Sequence, residues 1–370
     1  MTELLTSPLH AEHDKLGATF TAFGPWNMPL KYQNELDEHR AVRSTAGLFD
    51  LSHMGEIWVN GADAGAFLSY AFISNFEPLK VGKAKYSMIT AEDGGIIDDL
   101  ITYRFEEDKF LVVPNAGNAD TVWDELNKRA EGFDVSLKNE SRDVAMIAVQ
   151  GPKAAEILVP LVEDNKQDEV YNLGYYAATM GKVARTFAII ARTGYTGEDG
   201  FELIVYNSDA PQLWEELLKA GAEYDLKPCG LAARDSLRLE AGMPLYGNEL
   251  SRDITPVEAG MARAFAKKEA DFVGAEVIRQ RAAEGPQVAI TGLTSTQRRA
   301  ARAGAEVFVG DKKVGTVTSG QPSPTLGHPA AIALLETSAE LEPGAEVEVE
   351  IRGKRYPFEV TALPFYKRDK

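Results

Sequence analysis

Two adjacent carboxylates, Asp98 and Asp99, stand in the apolar run GGIIDDLITYRF. The run has strand character, and along a strand alternate residues share a face. Ile97, Asp99, Ile101 and Tyr103 then fall on one side, and Ile96, Asp98, Leu100 and Thr102 on the other. Each face is otherwise largely apolar, so a carboxylate there loses hydration and either finds partners or holds its proton more tightly. A carboxyl shifted upward suits proton transfer near neutral pH. The alternative reading places both aspartates at the solvated end of the preceding AEDGG turn. Alternation does not say which of the two faces a ligand.

Two further segments carry candidate chemistry. GYTGEDGFELIVY holds three glycines within seven residues, which lets a backbone approach a flat ligand closely. Glu202 follows on the strand, sharing a face with Ile204 and Tyr206. A carboxylate there accepts two hydrogen bonds from an aminopyrimidine edge, as a pterin presents. An ordinary hairpin loop with a solvated Glu202 is the competing reading. The spacing of the acidic residues excludes an EF-hand calcium loop. In LAARDSLRLEAG, Arg234 and Arg238 lie four apart on one helix face, with Asp235 and Glu240 as possible partners. They form either a guanidinium fork for a carboxylate or a surface ion-pair ladder.

Other chemistry is missing. The five histidines are scattered, and the His10/His13 pair has no Cys or carboxylate pattern beside it, so no metal site is expected. The zinc-protease, nucleophile-elbow, dinucleotide and P-loop motifs are all absent. The lone Cys229 in KPCGLAAR reads as a buried structural thiol.

The elements that must position these residues follow from periodicity. ELDEHRAVRSTAG and GADAGAFLSYAF have helical spacing, the latter with Ala66, Phe67, Tyr70 and Phe72 as core candidates. AKYSMIT, IIDDLITYRF and FLVVPN read as strands joined by turns, and GNADTVWDELNKRAEG as a helix with Val122, Trp123 and Leu126 inside. A similar cycle starts near residue 143: DVAMIAVQ, a helix from Pro152, the strand KVARTFAIIA, the glycine loop, FELIVY, and the helices APQLWEELLKAG and CGLAARDSLRLEAG. Beyond about 285 only short alternating segments remain, the signature of a small β-barrel or sandwich. The expected division is residues 1–280 and 281–370, in an α+β chain of two or three domains at roughly 100–200 residues each.

Composition narrows the partners. A net charge of −17 and a pI near 4.9 argue against nucleic acid, and an anionic ligand then needs local cations. Lys80, Lys83 and Lys85, Arg234, and Arg298, Arg299 and Arg302 are candidates. One cysteine, no leader-like N-terminus and no run of about 18 apolar residues point to the cytoplasm and away from the membrane.

Taken together, the runs SPLHAEH, MPLKY, EHRAVRSTAGLFDLSHMGE, GKAKYSMIT, GGIIDDLITYRF, VPNAGN, AVQGPKA, RTGYTGEDGFEL, CGLAARDSLRLEAGMPLYGNEL, DITPVEAG, DFVGAE and VTSGQPSPTLG resemble the T-protein family of the glycine cleavage system, in family order and over nearly the whole chain. The resemblance implies an α+β folate-binding fold of three domains, the first two interleaved in sequence and the last a β-barrel. It implies transfer of the aminomethyl carbon from the dihydrolipoyl arm of a lipoylated H-protein to tetrahydrofolate, releasing ammonia and giving 5,10-methylenetetrahydrofolate. By matching, Asp99 is the catalytic aspartate, Glu202 binds the pterin and Arg234 contacts folate. Tyr86, Asn115, Tyr195 and Met54 line the pocket, and a terminal basic residue, Arg368 or its neighbour Lys367, reaches the ligand. FGPWNMP departs from the family's F-A-G-W-E-M-P, because Pro25 alters that loop and removes a donor. Because the carrier of this family is acidic, its docking face should be locally basic, with Lys80–Lys85 and Arg298–Arg302 as candidates. Rival expectations are a tetrahydrofolate-dependent demethylase of the same superfamily, a non-enzymatic folate-binding protein, and the folate half of a flavin-containing sarcosine or dimethylglycine dehydrogenase.

Overall fold

A computed structural model describes residues 4–368. The chain divides into two compact units, one of Met1–Ala71, Phe76–Ser87 and Leu100–Arg234, the other of Phe72–Asn75, Met88–Asp99 and Asp235–Lys370.

The first unit is built on a six-stranded sheet in the order Ala178–Val183, Thr186–Ala191, Gly200–Tyr206, Val144–Gln150, Gly47–Asp50, Lys227–Cys229. Its pairings are antiparallel except the last, which is parallel. Alternation sends Ala145, Ile147, Val149, Leu203 and Val205 to one face, where they are buried against Leu158, Leu213, Trp214 and Leu217 of the covering helices. Glu202, Ile204 and Tyr206 therefore share the opposite face. A five-stranded sheet runs Ala84–Thr90, Ile96–Glu106, Lys109–Pro114, Ile57–Asn60, Ser136–Asn139. All five strands lie in sequence between Gly47–Asp50 and Val144–Gln150, which is the interleaving the resemblance implies. Pairing of Tyr103 with Leu111, Leu111 with Trp58 and Trp58 with Lys138 sets these four side chains in one cross-strand row.

Three local expectations change. KVARTFAIIA is not one strand. It is the end of one arm, the turn and the second arm of a hairpin, broken at Ala184 and Arg185, which take left-handed φ values of 47° and 71°. The apolar residues on both sides of the break hid it, because neither residue at the turn is a usual turn former. Tyr70 lies on the exposed side of its helix, 39% accessible, while Phe67 and Phe72 are fully buried. Trp123 is only half-buried, whereas Val122 and Leu126 form the inner stripe of that helix.

The second unit contains a closed barrel of six strands in the order Val288–Thr294, Pro329–Glu336, Lys312–Pro322, Glu306–Val309, Glu346–Ile351, Lys354–Thr361. Its interior is filled by alternate residues, among them Leu293, Val307, Val317, Leu335, Val349 and Phe358. The fold is thus mixed α+β with a C-terminal β-barrel, as expected. The helix Ala275–Glu284 precedes the barrel and is stopped by Gly285 at φ 85°. Among the described residues no helix is long and apolar enough to cross a membrane.

Candidate functional site

In the first unit the centre of the candidate site is Glu202. Its strand neighbours across the sheet are Ala148 and Ala191, whose small side chains leave room above it. The carboxylate Oε2 accepts hydrogen bonds from the Thr193 hydroxyl and, at 3.4 Å, from the Tyr103 hydroxyl. Tyr103 and Thr193 are themselves linked at 2.9 Å. Both bonds land on Oε2, so Oε1 keeps its acceptor capacity for a ligand. Burial pushes the Glu202 carboxyl up, while the Thr193 bond, the Arg234 charge and the Tyr103 bond pull it back. The same burial, with the charge of Glu202, raises the Tyr103 phenol and keeps it a neutral donor.

Arg234 lies near the start of the helix Leu231–Glu240, its guanidinium 4.7 Å from the centre of the Tyr195 ring. Such stacking contributes about 0.5–2 kcal/mol and fixes the plane of the fork. Beside it His53 is buried, and burial followed by the Arg234 charge lowers the imidazole to about 3, so the ring is neutral at physiological pH. Its Nδ1 has no hydrogen-bond partner among the described residues. His53 meets the Phe23 ring edge-on at 5.3 Å and is followed by the half-buried Met54.

Two glycines of the loop 194–200 make room for a buried side chain. A Cβ at Gly194 or Gly200 would fall 2.0 or 2.5 Å from the side-chain amide of Gln150. The two glycines thus make room for Gln150, which donates to the Thr193 carbonyl and accepts from the Thr196 hydroxyl. Arg43 to Glu198 (2.9 Å) and Arg192 to Asp199 (2.6 Å) clamp the loop from both sides. The loop is thereby held as a support for Thr193 and Tyr195.

Pro25 is accommodated without loss. Gly24 and Pro25 are the two turn residues between the strands Thr19–Phe23 and Trp26–Lys31, with Gly24 at φ 56°. A positive φ followed by the fixed negative φ of proline is the sign pattern of a type II′ hairpin turn. Proline's missing donor lies outside the strand ladder. The same hairpin packs Trp26 and Met28 against Ala116, next to the half-buried Asn115. Tyr86 is also half-buried in this unit.

In the second unit Asp98 and Asp99 separate as alternation predicts. Asp98 is fully buried along with Ile96 and Leu100, and Asp99 is the partly accessible member of the pair. The backbone at this point is stitched to residues far along the chain: Ile96 N–H donates to the Ile254 carbonyl at 3.0 Å, and the Tyr246 hydroxyl donates to the Ile96 carbonyl at 3.1 Å. Burial raises the Tyr246 phenol, and the charges of Asp98 and Asp99 raise it further. Tyr246 therefore stands within electrostatic reach of both aspartates as a protonated donor.

The structure divides the Arg234/Arg238 pair. Arg238, 1% exposed, is consumed by Asp235, Glu249 at 2.9 Å, the Met243 carbonyl and the Ser319 hydroxyl at 2.7 Å. Glu240 is likewise held by Ser323 and Thr325. Of the terminal basic residues, Lys367 is exposed and Arg368 half-buried. Lys80 and Lys83 are exposed and Lys85 lies over the Phe76 ring; Arg298 and Arg299 are exposed, and Arg302 donates to the Gly320 carbonyl. His13, weighed above as a ligand, pairs with Asp50 at 2.7 Å and with Tyr32 at 2.9 Å. Cys229 is a buried free thiol whose deprotonation burial opposes.

Thr193, Tyr246 and His53 were not singled out from sequence. A threonine ahead of a glycine loop, a tyrosine 147 residues from Asp99 and a histidine without a partner motif carry no local signal. For His53 the adjoining Met54 was the nearest pointer.

Comparison with known proteins agrees over the full length. Residues 9–269 match the family described as GCVT N-terminal domain, and residues 289–367 the glycine cleavage T-protein C-terminal barrel domain. A relative from Corynebacterium aurimucosum named aminomethyltransferase is 83% identical over 370 residues, covering 100% of both chains. One of the same name from Corynebacterium jeikeium is 54% identical, again over 100% of both. The crystal structure of glycine cleavage system aminomethyltransferase T from Bartonella henselae superposes with a TM-score of 0.91 at 40% identity, over 98% of each chain.

Proposed function

Because this chain belongs to the glycine cleavage T-protein family, we propose that it is an aminomethyltransferase of the glycine cleavage system. It transfers the aminomethyl carbon from the dihydrolipoyl arm of the H-protein to tetrahydrofolate. The carbon–sulfur bond to the arm breaks, the carbon becomes bonded to both folate nitrogens, and its original nitrogen leaves as ammonia. The full-length agreement with aminomethyltransferases carries this reading.

Glu202 binds the aminopyrimidine edge of the pterin through Oε1. Thr193 and Tyr103 fix its rotamer, so little freedom is lost when the ligand arrives. Arg234, its guanidinium over the Tyr195 ring, supplies a cation beside it in a strongly acidic protein. Met54, Tyr86, Asn115 and Tyr195 line the cavity, and Arg368, half-buried where Lys367 is exposed, reaches the folate from the C-terminus. Asp99 orients the folate nitrogens and moves the proton as carbon–nitrogen bonds form and break. Its partial accessibility, against the complete burial of Asp98, supports that assignment. The enzyme works in the cytoplasm. Lys80–Lys85, where Lys80 and Lys83 are exposed, and Arg298–Arg302, where Arg298 and Arg299 are exposed, are the two separate candidates for a locally basic docking patch for the H-protein. The folate-binding region is residues 1–280 and the barrel domain 281–370.

The test mixes purified protein with tetrahydrofolate and aminomethylated H-protein and measures methylenetetrahydrofolate and ammonia. Both products are expected. Product from a methyl ether or sulfonium donor but none from the aminomethyl carrier would replace this reading with the demethylase one.

A further inference from the structure

A second cavity of about 420 Å³ opens in the first unit, away from the residues assigned to folate. One wall is the five-stranded sheet, with Trp58, Lys109, Leu111 and Lys138. The other is the far end of the six-stranded sheet's open face, with Met180, Phe187, Ile189, Ile204 and Tyr206. Ile204 and Tyr206 follow Glu202 on the same face of one strand. Phe187 and Tyr206 are 52% and 56% exposed, so this wall presents aromatic surface to whatever enters.

The cavity also holds Glu56, 2% exposed, with neither carboxylate oxygen hydrogen-bonded among the described residues. Buried carboxyls are normally satisfied, and an unsatisfied one costs about 1–3 kcal/mol or more. The other titratable groups lining the cavity are already matched or neutral. Glu140 accepts from the Trp58 indole at 2.8 Å and pairs with Lys138. Lys109 lies over the Trp58 ring at 5.1 Å and 3.5 Å from Glu106. Tyr206 is a phenol at the rim. Glu140 and Lys138 cancel, which leaves Glu56 as the lining carboxyl without a counter-ion, so a bound cation would stabilise its ionised form. Burial, then the nearby Glu140 charge, drives its pKa well up, as expected of a carboxyl lacking its counter-ion.

We propose that this cavity is a binding site for a small organic ammonium ion, with the ammonium on Glu56 and an aromatic or branched aliphatic body between Trp58 and the Phe187–Tyr206 wall. Binding transfers a proton from the Glu56 carboxyl to solvent and leaves a carboxylate–ammonium pair. The chain's net charge of −17 favours a cation over an anion. The site is independent of the folate-dependent reading.

The test titrates phenethylammonium chloride into the full chain, following tryptophan emission and heat, with 3-phenylpropionate as the anionic control of like shape. Saturable amine binding is expected at concentrations up to about 10 mM, tightening from about pH 6 to about pH 8 as the proton is released. Glu56→Gln should weaken it by about tenfold or more, the loss of a charged hydrogen bond. Phe187→Ala, on an exposed wall where folding is not at risk, should weaken it about threefold or more. Equal binding of phenylpropionate, unchanged affinity in both variants, or no saturable binding in that range would overturn the proposal and leave a solvent-filled cleft.

Discussion

Glu202 and Glu56 are two carboxyls between the same pair of sheets, both pushed upward by burial, and their surroundings are opposite. Glu202 has two hydroxyl donors on one oxygen and the Arg234 charge nearby. Glu56 has no donor among the described residues and a second carboxylate, Glu140, beside it. Burial alone does not say what a carboxyl is for. The donors around it do, because they decide whether the ionised form is stabilised in place before a ligand arrives. Glu202 has donors and a cation placed to favour its ionised form, whereas Glu56 has neither among the described residues.

The comparison can be pressed from the strongest effect to the weakest. Asp99, the partly accessible third carboxylate, should be where chemistry rather than binding is lost. Asp99→Asn is expected to lower turnover by about 10²–10⁴-fold while tetrahydrofolate affinity stays within a few-fold. Single-turnover kinetics beside folate titration would measure both, and near-normal turnover would reduce Asp99 to a structural residue. Glu202→Gln removes a held anion and should weaken folate binding by about tenfold to a hundredfold, with a smaller effect on bound-state turnover. If affinity is unchanged, the Thr193–Tyr103 clamp serves the fold and not the pterin. Arg234→Lys keeps the charge but loses the guanidinium over Tyr195, so a few-fold rise in the folate KM is expected, with recovery at low ionic strength no better than partial.

Glu56→Gln should leave aminomethyl transfer untouched and act only on stability. The folded pKa of Glu56 lies above its ordinary value of 4.5, so the folded chain keeps a proton that the unfolded chain releases. Wild-type stability therefore falls relative to the variant as pH rises above that value. Urea melts should show a gap favouring Gln that is wider near about pH 8 than near about pH 5. A gap independent of pH would mean that Glu56 is solvated as an ion, and its contrast with Glu202 would disappear.

Much of this was legible in the sequence because it is local. Strand alternation placed Asp99 and Asp98 on different faces and grouped Glu202 with Ile204 and Tyr206, since a period of two needs only neighbours. The barrel announced itself through short alternating segments split by turn formers. Long specific motifs then fixed the family and pointed to Asp99, Glu202 and Arg234 as its candidate site residues. What only the tertiary structure decided involves partners distant in the chain. The glycines at 194 and 200 make room for Gln150, which no window around them reveals. Arg238 looked equivalent to Arg234 until Glu249 and Ser319 were seen to consume it. The Ala184–Arg185 turn was masked because apolar flanks carry the same pattern through a hairpin as along a strand. Glu56, in an unremarkable SHMGEIWVNG segment, acquires its meaning from Glu140 and a facing sheet. Sequence determines which groups are present and which way each local segment points; the environment that sets a carboxyl's charge is the sum of donors and charges that folding brings from elsewhere.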